Sequence, residues 1–140
     1  MDKLKTYNTP NGIISQLNTF KGLKVLIGDY ASFSYCFTKT VLDSLGVDYV
    51  IEHTMYGVKQ RILNGEKYDI IFTNNVYESG SGKMLLDKLK EIPNFNTPVV
   101  IHTISDNIDN KFIDMGFDGY LKKPIRQDDT IDLLNKLLNK

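Results

Sequence analysis

The sequence predicts an α/β fold, an open and doubly wound sheet of five parallel strands with five helices. Three runs are apolar nearly throughout, which is typical of central parallel strands with helices on both faces: Val25–Ile27, Ile70–Phe72 and Val99–Ile101. Segments with helical spacing of apolar residues separate the runs, and this alternation indicates repeated β-α units. Five units are too few for a closed eight-stranded barrel, and right-handed crossovers favour an open sheet.

The two outer strands have weaker signals, at Val47–Glu52 and Gly119–Leu121. The first helix is predicted from apolar residues at every fourth position, which form one stripe facing the sheet: Phe33, Phe37, Val41 and Leu45. Gly46 should end this helix, and Gly65 and Gly116 have the same role, since glycine takes the left-handed conformation that closes a helix. The last helix has apolar residues at helical spacing: Ile131, Leu134, Leu137 and Leu138.

Residues 1–22 fall outside this pattern and are predicted to be an extension or linker, followed by a domain over residues 23–140. Asn8 to Gly12 has the composition of a turn. A short helix is predicted after it, with one apolar face: Ile13, Ile14, Leu17 and Phe20. This segment either caps the domain's own surface or contacts another copy or domain.

Composition limits the classes of function. The 140 residues include 17 Lys and Arg and 17 Asp and Glu, so a net charge near zero gives no general attraction to nucleic acid or to a membrane surface. Cys36 is the single cysteine, predicted to be a small buried side chain in a reducing compartment. No apolar run is long enough to cross a bilayer, and the start lacks the apolar core of a signal peptide, so a cytoplasmic location is expected.

Polar residues follow several predicted strands. Asp29 and Tyr30 follow the first, Asn74 and Asn75 end the third, and His102 and Thr103 end the fourth. Lys122, Lys123 and Pro124 follow the fifth. Because functional residues of doubly wound sheets gather at the carboxyl ends of the strands, these residues are the candidate site. His102 is expected to be a strand residue rather than a metal ligand, since the pattern puts no second His or Cys beside it.

The chain from Leu23 to Leu138 resembles a response-regulator receiver domain, a flavodoxin-like fold of two-component signalling. Four segments carry the resemblance: LKVLIGDY, KYDIIFTNNVYESGSG, TPVVIHTIS and MGFDGYLKKPI. The last two, with KEIPNFNTP upstream, are most similar to receivers attached to hybrid sensor histidine kinases of low-GC bacteria. The resemblance implies a signalling domain that is not itself an enzyme, and it leaves open whether the chain is a whole protein or a segment of such a hybrid kinase.

In this family an acidic pair after the first strand holds Mg²⁺, and an aspartate after the third takes phosphate from a phosphohistidine. A lysine neutralises the phosphoryl oxygens, while a hydroxyl and an aromatic residue form the switch. By resemblance, Asp29 is the first acid, Thr103 and Tyr120 are the switch pair, and Lys123 is the lysine. Pro124 is expected to follow a cis peptide bond, as in the family.

The sequence departs from the family pattern at or beside the positions that accept phosphate and bind the metal ion. Asn74 occupies the phosphoacceptor position, and a neutral carboxamide does not form an acyl phosphate. Tyr30 replaces the second acid, so Mg²⁺ binding is expected to be weak or absent and no other cofactor is expected. Glu78 stands where proline is usual, and its carboxylate replaces a metal ligand only if the loop bends back. Ile104 replaces a small residue and would narrow the cleft.

Two smaller features complete this comparison with the family. Gly28 stands where the family usually has an apolar residue, and the pattern gives no reason for it. Lys123 has Asp29 as its obvious anionic partner, so a direct contact of Lys123 with Asp29 or Asn74 would hold the strand ends together without phosphate.

Three functions follow from this pattern. The first is a pseudo-receiver that acts by protein binding, with Asn74, Asp29, Thr103 and Lys123 as a vestigial pocket. The second is a working phosphoacceptor that uses Asp29 or a deamidated Asn74. The third is a domain that binds a small ligand in the cleft, which is disfavoured because no glycine-rich phosphate loop follows the first strand.

The expected partners are a sensor histidine kinase or an output domain. The face from about Asn107 to Asn139, which the family uses for partners and dimers, would bind them or a second copy of the chain. Neither nucleic acid nor membrane contact is expected of this segment.

Overall fold

The computed structural model describes residues 5–9, 12–16, 19–30, 36–104 and 111–138. Nine strands and five helices lie in this part of the chain. In chain order they are β1 (Lys5–Thr9), β2 (Gly12–Gln16), β3 (Lys24–Gly28), α1 (Cys36–Ser44), β4 (Asp48–Glu52), α2 (Met55–Leu63), β5 (Ile70–Asn74), β6 (Val76–Tyr77), β7 (Gly80–Ser81), α3 (Gly82–Lys90), β8 (Val99–Thr103), α4 (Lys111–Asp114), β9 (Gly119–Lys122) and α5 (Gln127–Leu138).

The central sheet has five parallel strands in the order β4-β3-β5-β8-β9. The predicted fold class, a five-stranded parallel sheet with five helices, is confirmed. The order reverses after β4, as in a doubly wound sheet, so the crossovers place helices on both faces. The carboxyl ends of the strands therefore meet at one edge of the sheet.

The core has two halves, one on each face of the sheet. One half is formed by β-strand residues with α1 and α5, including Val41, Leu45 and Leu134, and the other by α2, α3 and α4, including Val58, Leu85 and Phe112. The apolar runs predicted as β3, β5 and β8 are buried along their length, which is why they lack the alternation of a half-exposed strand.

The predicted helix ends are confirmed where the chain turns back towards the sheet. Gly46, Gly65 and Gly116 have φ values of 77°, 87° and 107°. Only a residue without a Cβ takes this left-handed conformation at little cost. In the first predicted helix, Phe37 and Val41 lie in α1 and Leu45 follows it, while Phe33 lies outside the described residues.

Two sequence predictions about the amino-terminal half are wrong. Ile13 and Ile14 lie in β2, which pairs with β1 as an antiparallel hairpin and lies against α1, so no helix forms there. Isoleucine is β-branched, and β-branched residues are enriched in strands. Cys36 is exposed rather than buried, because it begins α1 at the strand-end edge.

Further predictions for this region have mixed outcomes. Thr9 pairs with Gly12 across the predicted turn, whose residues 10 and 11 lie outside the described part, as does Leu17. Phe20 is buried, and its backbone N–H donates to the Leu45 carbonyl at 3.0 Å. Within the described ranges, no helix has the length and hydropathy to span a bilayer.

Candidate functional site at the strand ends

The sheet register brings the predicted site residues to one edge. Asp29 directly follows β3, Asn74 ends β5, Thr103 ends β8 and Lys123 directly follows β9. Neighbouring strands pair in parallel up to these positions, with Asn74 beside His102 and Thr103 beside Lys122. Residues from four separate parts of the sequence therefore form one strand-end cleft.

Lys123 is the centre of this cleft. Its ammonium nitrogen Nζ donates to Asp29 Oδ2 at 2.7 Å and to Asn74 Oδ1 at 3.2 Å. The side chains of Lys123 and Asp29 are only 7% and 0% exposed. The backbone N–H of Lys123 donates to the Thr103 carbonyl at 2.7 Å, and the peptide bond to Pro124 is cis, as predicted. The ion pair of Lys123 and Asp29 thus links the ends of β9 and β3, and both side chains are almost fully buried.

The Asn74 carboxamide is engaged at both ends. Its Oδ1 accepts from Lys123, and its Nδ2 donates to the Val76 carbonyl at 2.9 Å. An aspartate at this position has no N–H, so it would set a carboxylate oxygen against the Val76 carbonyl oxygen. The loop after β5 therefore fits an amide and disfavours a carboxylate.

Tyr77 explains the unusual glycine at the end of β3. The Tyr77 side chain is buried, and its hydroxyl lies 2.8 Å from the Thr73 hydroxyl. A Cβ on Gly28 would lie 2.2 Å from the Tyr77 hydroxyl oxygen, a distance at which atoms overlap. Gly28 is therefore required by the tyrosine four residues after Thr73.

His102 lies fully buried behind the Asp29 carboxylate. Its Nε2 is 3.4 Å from the Gly28 carbonyl oxygen and 3.9 Å from Asp29 Oδ2, and within the described residues its Nδ1 has no hydrogen-bond partner. Burial, and then the positive charge of Lys123, lower the pKa of His102 to about 4. The ring is therefore neutral near pH 7 and sits in the core as a strand residue.

His53 is a site residue that sequence reasoning missed. It follows β4 and its Nδ1 lies 3.1 Å from the Asp29 carbonyl oxygen. The signal was available, because the rule that singled out the other strand ends applies equally to the residue after Glu52.

No protein-family model and no curated protein matches the chain. Among solved structures, the receiver domain of the Francisella response regulator 1452 is 31% identical to this chain, covering 84% of it and 98% of the Francisella domain, with a TM-score of 0.72. The chain belongs to the receiver family.

More distant structures share the fold. The receiver domain of a Pseudomonas aeruginosa sensor histidine kinase is 16% identical, with a TM-score of 0.74 over 85% of this chain and 99% of that one. That of a Syntrophus aciditrophicus signal transduction histidine kinase is 20% identical, with a TM-score of 0.70 over 84% and 91%. The Pseudomonas domain coordinates a magnesium ion in its active-site cleft.

The corresponding cleft of this receiver does not match the ligands that Mg²⁺ prefers. The Asp29 carboxylate is buried against Lys123, and the Val76 carbonyl accepts from Asn74. Tyr30 has no acid group, and its side chain is half exposed. Across the described ranges, no three His, Cys, Asp or Glu side chains are grouped to hold a metal ion.

The remaining predicted positions lie around the cleft. Thr103 is buried, whereas Tyr120, which the resemblance predicts to be the switch aromatic, is 39% exposed on β9. Ile104 is 78% exposed, so its side chain does not fill the cleft. Glu78 is exposed between β6 and β7. Of the face from Asn107 to Asn139, residues 107–110 and 139 lie outside the described part of the chain.

Proposed function

We propose that this receiver is a pseudo-receiver, which acts by binding a protein partner and does not accept phosphate at Asn74. The observation that carries the proposal is the Asn74 carboxamide, held by Lys123 on one side and by the Val76 carbonyl on the other. Transfer to a receiver needs a carboxylate nucleophile and a cation to neutralise the moving phosphoryl group. An amide with both ends hydrogen-bonded supplies no nucleophile.

The nearby carboxylate does not replace it. Asp29 is fully buried and its Oδ2 accepts from Lys123, so a phosphodonor has no approach to it. An attack by Asp29 would also break the charge pair in a site of low dielectric. This burial disfavours the alternative in which Asp29 is the phosphoacceptor.

Weak or absent Mg²⁺ binding is part of the same proposal. Asn74 and Tyr30 remove two carboxylates, while Lys123 already compensates the one that is left. The cleft therefore has a balanced charge without a metal ion. An incoming Mg²⁺ would have to displace Lys123 from Asp29 and would gain few oxygen ligands in return.

The partner surface we propose is the face of β9 and α5. A groove of about 360 Å³ lies there, lined by Tyr120, Leu121, Lys122, Asp129, Asp132, Leu133 and Lys136. The groove combines an apolar floor with charges of both signs, which suits a protein surface better than a nucleic acid or a lipid head group. A histidine kinase or an output domain in the cytoplasm is the proposed occupant.

We assign residues 23–140 to the receiver and treat residues 1–22 as an extension.

A second copy of the chain is the other candidate for this groove. Sedimentation of the chain and of a Lys136→Glu variant tests for a dimer on this face. A dimer that the variant disrupts would assign the groove to self-association, whereas a monomer in both leaves it to the kinase or output domain.

The function is tested with acetyl phosphate, or with beryllofluoride, in the presence of Mg²⁺. We expect no mass gain and no saturable chemical-shift change at Thr103 and Tyr120, after intact mass has shown that Asn74 is not deamidated. A saturable response of the unmodified chain would contradict the pseudo-receiver.

The variant Asn74→Asp is predicted to restore labelling only to near background. The new carboxylate faces the Val76 carbonyl, and Tyr30 still leaves the metal without its second acid. Mass spectrometry after incubation with acetyl phosphate and Mg²⁺ measures the labelled fraction. Robust labelling of this single variant would show that Asn74 alone accounts for the lost chemistry.

A further inference from the structure

We infer that Tyr77 is a positioning residue of the strand-end cleft, with Gly28 as its socket, and that the pair holds the loop after β5 in a form that excludes divalent cations. The inference rests on the proposed function and deepens it. On this inference, Tyr77 and Gly28 weaken metal binding through the shape of the loop, in addition to the carboxylates that are missing at Asn74 and Tyr30.

The socket is a fit between two residues from different strands. Tyr77 is 4% exposed, and its hydroxyl oxygen would be 2.2 Å from a Cβ at position 28. The same Cβ would lie 3.0 Å from Val58 Cγ2 and 3.4 Å from the Tyr77 ring carbon Cζ. The hydroxyl oxygen is therefore the main obstacle to a side chain at Gly28, while the Val58 contact is tight and the ring carbon lies at ordinary contact distance.

Tyr77 fixes the loop through its own bonds and those of its neighbours. Its hydroxyl bonds Thr73, whose hydroxyl donates to the Asn74 carbonyl at 3.1 Å. The preceding residue, Val76, accepts the Asn74 side-chain amide. Val76–Tyr77 also pairs with Gly80–Ser81, so the loop is tied back on itself.

The other end of the loop is equally confined. Gly82, the first residue of α3, donates its N–H to the Asn75 carbonyl at 2.9 Å, and a Cβ there would lie 2.6 Å from the Asn74 carbonyl oxygen. With Tyr77 seated in the Gly28 socket, the Val76 carbonyl is held where it accepts the Asn74 amide. A carboxylate introduced at position 74 thus enters a loop that remains shaped for an amide.

Tyr77 brings no charge that would attract a cation. Burial raises the pKa of its hydroxyl to about 12, so the side chain is neutral at ordinary pH. It fills the space beside Gly28 without serving as an anionic ligand. Its contribution is therefore the position of the loop.

Mg²⁺ affinity in three chains tests this role. The first carries Tyr30→Asp and Asn74→Asp, the second adds Tyr77→Met, and the third adds Tyr77→Phe instead. Mg²⁺ is titrated while the backbone amides of Thr103 and Lys123 are followed by NMR. We expect the Tyr77→Met chain to bind Mg²⁺ at least about tenfold more tightly than the first chain. An effect of this size is typical when residues that orient the metal ligands are replaced.

Each outcome separates the two proposals. Equal affinity of the first and second chains would overturn the role of Tyr77 while leaving the pseudo-receiver intact. A saturable Mg²⁺ and beryllofluoride response of the unmodified chain would instead overturn the pseudo-receiver. If the Tyr77→Met chain does not fold, the Tyr77→Phe chain gives the comparison, since it removes only the hydroxyl. A Mg²⁺ affinity of this chain equal to that of the first chain would again overturn the positioning role of Tyr77.

A double-mutant cycle tests the socket independently of metal. We expect Gly28→Ala to lower the Tm of the unmodified chain clearly, and to lower it much less in a Tyr77→Phe background, because the 2.2 Å overlap is with the hydroxyl oxygen. Equal losses in both backgrounds would show that Gly28 does not serve Tyr77.

Discussion

Two ion-pair clusters of this receiver differ in their surroundings. In the strand-end cleft, Lys123 and Asp29 form a pair that is 7% and 0% exposed. On the side of α2, Arg61 donates to Glu52 and Glu66, all three between a quarter and about a third exposed. Both clusters use the same chemistry, but only the first is shut away from water.

This difference in burial determines how much stability each cluster loses when one charge is removed. A partly exposed cluster loses little when one charge is removed, because water replaces the partner. A buried pair loses much, because the remaining charge has no such replacement. In the proposed pseudo-receiver, removing either Lys123 or Asp29 alone would leave the other charge buried without its partner, so both residues have a structural role that does not depend on phosphate.

Breaking the buried pair should give the largest effect. Lys123→Met keeps the aliphatic stem but leaves Asp29 buried without its cation, so the free energy of unfolding should fall by about 3–5 kcal/mol. Urea unfolding measures this loss. The double variant Asp29→Asn/Lys123→Met, which removes both charges, should recover much of it, and a loss below about 1 kcal/mol for the single variant would make the cleft pair equivalent to a surface one.

The lowered pKa of His102 makes the stability of the strand-end cleft depend on pH. Its pKa is about 4 in the folded chain against about 6.5 when unfolded, so between these values the unfolded state binds a proton that the folded state excludes. Stability is therefore complete above pH 6.5 and falls with decreasing pH down to about 4. At about 1.4 kcal/mol per pH unit, the total loss is about 3 kcal/mol.

The control for this prediction is His102→Leu, which has no proton to bind. Its stability, measured by urea unfolding at several pH values, should fall less steeply below pH 6.5 than that of the unmodified chain. Parallel pH profiles for the two chains would mean that the acid sensitivity comes from other groups.

The sequence predicts the fold well because its signals are local or periodic. The apolar runs of β3, β5 and β8 are continuous since both faces of the sheet are covered, and Gly46 ends α1 at the expected place. Ile13 and Ile14 were assigned to the wrong element because two adjacent branched residues fit a short helix face as well as a strand, and the pairing with β1 decides between them.

The site was predictable only in part, for a different reason. Asp29, Asn74, Thr103 and Lys123 were found because a single rule places strand ends together, and the contacts of Lys123 followed from the lack of other anions. The close contact of the Tyr77 side chain with the Gly28 backbone joins two residues 49 positions apart in the sequence, and no spacing rule encodes such complementarity. The same rule applies to His53, which directly follows β4.

Breaking the exposed cluster should give the smallest effect. Arg61 is hydrogen-bonded to Glu52 and, at 3.0 Å, to Glu66, and these bonds raise the pKa of its guanidinium. Arg61→Met nevertheless should lower the free energy of unfolding by only about 1 kcal/mol or less, because water solvates the two carboxylates left behind. The loss should shrink further at high salt, which screens exposed charges, whereas that of Lys123→Met should not. Urea unfolding of both variants at low and high salt makes the comparison direct, and a salt-independent loss as large as that of Lys123→Met would remove the distinction between the two clusters.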